Sequence, residues 1–153
     1  MKLSDIITRD SVIPNLKARD KAGVLKELAE VICNAEPSID KDALVKVLEE
    51  REKLGSTGIG DGVAIPHGKL NGISKPYMSF GRSKSGVDFD SMDTQPVHLF
   101  FLLLAPENSA GAHLKVLAKI AKMLKNTSFR KKLLEARDRD EIYDIIVQSD
   151  EES

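Results

Sequence analysis

One histidine of this chain stands between a proline and a glycine, in Pro66-His67-Gly68, directly after the short apolar stretch Val63-Ala64-Ile65. Proline fixes the backbone just before the ring, and glycine lets a neighbour approach closely just after it. An imidazole held in this way suits phosphoryl transfer. A phosphoryl group on His67 would carry about two negative charges spread over three oxygens. The groups able to receive that charge are Arg51, His113 and the first N–H groups of a helix starting around Ala110–Ala112. Ser56 and Thr57, at the start of a glycine-rich loop, add hydroxyl and amide donors.

Each of these features also has a plainer reading. Gly and Ser are common in turns, so the loop taken alone is an ordinary turn; its place between Arg51 and His67 argues for more. It is not a nucleotide cradle. Gly62 to Gly68-Lys69 has one residue too many for a Walker loop, and Leu70 stands where Ser or Thr would bind magnesium. Gly58-Ile59-Gly60 lacks the third glycine of a dinucleotide turn. His113, taken alone, is boundary packing at the edge of the helical stripe Leu117, Ile120, Ala121 and Leu124; His67 is what gives it a second meaning. His98, alternating with Val97 and Leu99, reads as structural. The histidines show no i, i+4 spacing and no ligand cluster, so neither zinc nor any other cofactor is expected. The carboxylate pairs Glu49-Glu50 and Glu151-Glu152 lie on a polar helix face and a tail, which does not make a glycosidase acid pair.

The elements that must position these residues follow from periodicity and caps. Asp20 caps a helix over Lys21 to Ala35, with Val24, Leu25, Leu28, Val31 and Ile32 on one side. Asp40 caps a second, with Leu44, Val45 and Leu48 inward, Arg51 near its end and Gly55 stopping it. Val63 to Pro66 and Met78 to Arg82 read as strands, and the unbroken apolar run Val97 to Leu104 as a central strand covered on both faces. Helices resume at Ala110 to Lys125, Ser128 to Ala136 and Asp138 to Gln148. The fold class that results is α/β, a single domain over residues 1–148 with a mixed sheet flanked by helices on both faces. Residues 149–153 are expected to form a disordered tail.

Composition narrows the function classes. The 153 residues suit one domain that buries roughly two-thirds of its unfolded surface. Hydrophobic residues are 41%, charged residues 31% and the net charge is −1, which makes no electrostatic case for nucleic acid or an anionic membrane. No leader-like segment opens the chain and no apolar run approaches about 18 residues, so a cytoplasmic protein without direct membrane insertion is expected. Cys33 is the sole cysteine, on the polar side of a helix, and reads as a bystander.

Arg51-Glu52, Ser56-Thr57-Gly58-Ile59-Gly60 and Gly62-Val63-Ala64-Ile65-Pro66-His67-Gly68 resemble the active-site signature of the fructose/mannitol-type enzyme IIA domains of the bacterial phosphotransferase system. The resemblance continues through Val87-Asp88-Phe89-Asp90, Gln95-Pro96-Val97, Leu104-Ala105-Pro106, His113-Leu114 and Leu117-Ala118, and covers the chain from Leu3 to Val147. Gly55 to Gly60 and Ile65 to Leu70 most resemble the nitrogen-regulatory branch, ahead of the sugar-specific branches; a chain without IIB or IIC domains also suits that branch. The resemblance implies that His67 is phosphorylated on Nε2, with Arg51 and His113 beside it. It implies a small phosphohistidine carrier protein as donor. In the nitrogen branch the phosphorylation state would decide which target proteins are bound, with potassium, nitrogen and carbon control as themes. In a sugar branch the group would pass to a IIB cysteine. A protein-interaction module without phosphotransfer is the third reading.

Overall fold

In the computed structural model, which describes residues 1–152, the elements run β1 (Val12–Ile13), α1 (Lys21–Ala35), α2 (Lys41–Lys53), β2 (Gly58–Gly60), β3 (Val63–Ala64), β4 (His67–Leu70), β5 (Tyr77–Val87), β6 (Val97–Pro106), α3 (Ala110–Leu124), α4 (Thr127–Glu135) and α5 (Arg139–Glu152). The apolar run read as a central strand is β6. Its side chains alternate between two cores: Leu99, Phe101 and Leu103 enter one, while Phe100, Leu102 and Leu104 enter the other. All six are at most 1% exposed, as a strand covered on both faces requires.

The sheet is mixed, in the order β1-β5-β6-β3-β2, with β4 also paired to β6. β5 runs antiparallel to β6; β3 and β4 run parallel to it. Helices α1 and α2 cover one face through Leu25, Leu28, Leu44 and Leu48. Helices α3, α4 and α5 cover the other through Ile120, Phe129, Leu133 and Ile142. Asp20 caps α1 by accepting from the Gly23 N–H at 2.7 Å, as its position predicts.

The expected strand Val63 to Pro66 is shortened to β3, and a further segment that was not expected, β4, follows it along β6. Pro66 has no N–H to give the ladder, so pairing is interrupted at Ile65-Pro66, although the Pro66 carbonyl still accepts from the Leu103 N–H at 2.9 Å. His67 therefore opens a strand rather than closing one. Between β2 and β3 the chain turns through Gly60, Asp61 and Gly62 at φ of 96, 58 and 75°, a left-handed run that two glycines make accessible.

The C-terminal expectation is corrected. Residues 149–152 are the last turn of α5 and not a disordered tail; Ser153 lies outside the described residues. The physical reason is Asp150, whose buried carboxylate accepts from the Leu3 N–H at 2.7 Å and pairs with Lys119 Nζ at 2.9 Å.

Candidate active site

Arg51, His67 and His113 line one open cleft. Arg51 comes from the last turn of α2, His67 from the first residue of β4 and His113 from the first turn of α3. The β4–α2 packing that places His67 beside Arg51 depends on Gly68, where a Cβ would stand 2.6 Å from Val47 Cγ1 of α2. Glycine after the histidine thus serves the approach of a helix.

The His67 and His113 ring centroids are 5.5 Å apart with their planes inclined at 55°. His67 Nδ1 lies 2.8 Å from the Ile65 carbonyl oxygen. A carbonyl can only accept, so Nδ1 carries the proton and the neutral ring presents its lone pair at Nε2. Burial holds the His67 pKa below the ordinary histidine value, with the Arg51 charge acting in the same direction against the opposing Ile65 hydrogen bond and Glu52. His113 is buried, and burial, with the nearby His67 and Lys69, pushes its pKa down to about 4. Its Nδ1 has no hydrogen-bond partner. Both rings are neutral near pH 7.

Arg51 Nη1 donates to the Gly55 carbonyl at 2.8 Å, which ties the last turn of α2 to the loop that follows it. The planar fork has five donors, so this bond leaves others for an anion. Lys69, one residue beyond Gly68 on β4, lines the same cleft. Val47, Leu54, Leu114 and Leu117 form the apolar remainder, with Leu54 85% and Leu114 65% exposed.

Ser56 and Thr57 are placed differently from expectation. The Ser56 hydroxyl donates to the Phe89 carbonyl at 2.6 Å and accepts from the Gly58 N–H at 3.0 Å. Thr57 is buried; its N–H donates to Glu52 Oε1 at 3.1 Å and its hydroxyl donates to Glu52 Oε2. Neither side chain lines the cleft, and their donors are spent on tying the loop to Phe89 and to Glu52 of α2. His98 Nδ1 stands 2.8 Å from the Ser83 carbonyl, away from the cleft, in line with a structural reading.

Sequence reasoning missed Glu52 and Lys69 as members of this neighbourhood. Glu52 sits in the charged run Glu49-Glu50-Arg51-Glu52, which looks like a solvated face, yet it falls one helical turn after Leu48 on the inward stripe. That spacing was the available signal. Lys69 falls two residues after His67 on β4, so alternation puts both on one side; the signal was lost because the expected strand ended at Pro66. Among the described residues, no group of three His, Cys, Asp or Glu is placed to hold a metal ion, and no helix is long and apolar enough to cross a membrane.

This constellation, on a mixed sheet between two helical layers, defines a class. The family of the phosphoenolpyruvate-dependent sugar phosphotransferase system described as EIIA 2 matches residues 5–149. The nitrogen regulatory protein of Bradyrhizobium diazoefficiens is 43% identical over 146 residues, covering 95% of each chain. The fructose-specific EIIABC component of Bacillus subtilis is 39% identical over 150 residues, which is 98% of this chain and only 24% of that protein's length. The crystal structure of the nitrogen regulatory protein IIA-Ntr from Neisseria meningitidis superposes with a TM-score of 0.88 at 35% identity, covering 94% of this chain and 98% of that one. The chain belongs to the EIIA 2 family and is a phosphotransferase component. The resemblance read from its residues, including the leaning to the nitrogen-regulatory branch, is borne out.

Proposed function

We propose that the chain is a regulatory phosphohistidine carrier, taking a phosphoryl group onto His67 Nε2 from the phosphohistidine of a small cytoplasmic carrier protein. The observation that carries this reading is the ring pair: a neutral His67 locked by its Nδ1 proton, 5.5 Å from a buried neutral His113, in a cleft that also holds Arg51. Nε2 attacks phosphorus in line, the P–N bond to the donor imidazole breaks and the P–Nε2 bond forms, while the proton stays on Nδ1, hydrogen-bonded to the Ile65 carbonyl. Catalysis is then positioning plus neutralisation of the equatorial oxygens. Arg51 supplies the positive charge for this, with Lys69 adding to it, and the uncharged His113 offers a ring N–H donor. Ser56 and Thr57 contribute by holding the loop. The exposed Leu54 and Leu114 at the cleft mouth suit a protein donor better than a small substrate.

The resemblance to nitrogen regulatory proteins over almost their whole length supports an output in which phosphorylation state decides which target proteins are bound. The match to the fructose-specific component of Bacillus subtilis supports the second reading, a sugar-specific IIA passing phosphate to a IIB cysteine.

Incubation with phosphoenolpyruvate and the general phosphotransferase proteins, followed by intact mass measurement, tests the proposal. The expected result is one added phosphoryl group, acid-labile and base-stable as a phosphoramidate is, absent in His67→Ala. Uptake that persists in that variant, or a phosphoester on Ser56 or Thr57, overturns it. Rapid passage of the group to a IIB domain selects the sugar reading; retention in the presence of IIB selects the regulatory one.

A further inference from the structure

Glu52 is a buried carboxylate that the transfer step does not use. At 8% exposure it needs partners for both oxygens, since an unpaired buried charge is strongly unfavourable. It has them: Lys21 Nζ of α1 lies 3.0 Å from Oε1, the Thr57 N–H donates to Oε1 at 3.1 Å, and the Thr57 hydroxyl donates to Oε2. Thr57 is in turn bonded on its other side, where its carbonyl accepts from the Ile65 N–H at 3.0 Å. Ile65 is also the residue whose carbonyl accepts the hydrogen bond from His67 Nδ1–H, at an N···O distance of 2.8 Å. An unbroken path of hydrogen bonds therefore leads from the α1–α2 ion pair, through both main-chain groups of Thr57 and of Ile65, to the ring of the acceptor.

We propose that Glu52 is a positioning residue for phosphoryl acceptance, anchoring through Thr57 the Ile65 carbonyl that orients His67 and fixes its tautomer. Ile65 and Pro66 lie outside the ladder segments on either side, so the orienting carbonyl sits where the strand is interrupted and the Thr57 bond substitutes for strand pairing. Lys21 ties the clamp to a second helix, which gives the loop a rigid reference. A glutamine at position 52 has one oxygen for a set of three donors, and its NH₂ group opposes Lys21. This inference rests on His67 being the acceptor.

The test uses the full chain with phosphoramidate as donor, so that no protein partner is required, and reads two quantities: the rate of His67 phosphorylation by mass spectrometry and the His67 ring nitrogen shifts by ¹⁵N NMR. Glu52→Gln should be phosphorylated about 10- to 100-fold more slowly, with ring shifts moving away from those of a pure Nδ1–H tautomer. Thr57→Val, which removes only the hydroxyl of the clamp, should shift both readouts in the same direction by less. Wild-type ring shifts and wild-type rate in Glu52→Gln overturn the proposal; if that variant does not fold, the same outcome in Thr57→Val overturns it. Should the wild-type chain take no phosphoryl group at His67, the acceptor reading fails, and the tautomer measurement alone still decides whether Glu52 orients the ring.

Discussion

His113 sits uncharged beside His67, and that state has two measurable consequences. Its folded pKa of about 4 lies below the unfolded histidine value of about 6.5, so in that window the unfolded chain binds a proton that the native chain does not. Stability contributed by neutral His113 is present above the window and is lost as pH falls through it; His67, also depressed, acts in the same direction. Urea unfolding midpoints should therefore decline on acidification and recover part of the loss in His113→Gln. Phosphorylation of His67 places a dianion next to this ring and favours its imidazolium, so the His113 pKa should rise in the phosphorylated chain. Histidine titration by NMR in both states measures the change, and an unchanged His113 returns that residue to a packing role. Arg51→Ala should slow transfer by about 10²- to 10³-fold with the fold retained, as loss of a preorganised donor does. Arg51→Lys should also be slow, because the planar fork is lost. Stopped transfer assays against the same donor decide both.

At the scale of elements, β5 carries a device that joins the sheet to the helical layer. Arg82 is 3% exposed and donates to the carbonyls of Leu133, Leu134 and Ala136 at the end of α4, and to that of Pro14. A guanidinium there meets the negative end of a helix and satisfies carbonyls that have no helical partner. Arg82→Leu strands those groups and should lower stability by about 2–4 kcal/mol, which for a chain of this size is a fall in Tm of roughly 5–15 °C by calorimetry. The same residue explains part of what the sequence concealed. The expected strand Met78 to Arg82 stops where apolar alternation stops, whereas β5 continues to Val87 because polar Arg82 and Ser83 are buried and bonded. Long elements with a strong pattern were legible: α1 because burial and helical period coincide in it, and β6 because its unbroken apolar run is buried on both faces. β1 and β2 were not, since segments of two and three residues carry no period and exist only through their partners. In the cleft, His67 was legible from Pro66 and Gly68, and Arg51 from the helix that ends at the loop. The ion pair of Glu52 with Lys21 was not, because it joins two helices distant in sequence.

The whole molecule is a sheet clamped between an α1–α2 layer and an α3–α5 layer, with both termini secured on the second. The Leu3 N–H and Lys119 meet the buried Asp150 carboxylate. Asp150→Ala should lower stability by about 1–3 kcal/mol and speed hydrogen exchange at the Leu3 amide ahead of the sheet amides. Uniform exchange across the chain would show that the termini are held by other means. The cleft, by contrast, opens between the layers, drawing Arg51 from one and His113 from the other, so its geometry reports how the two pack on the sheet. The tautomer of His67 is set by a main-chain oxygen, and every amino acid supplies that oxygen at position 65. Exchange among apolar side chains at position 65 would keep this bond to His67, in which the exposed Leu54 and Leu114 on the rim take no part. Orientation of the ring and the shape of the surface around it are thereby set by separate parts of the chain.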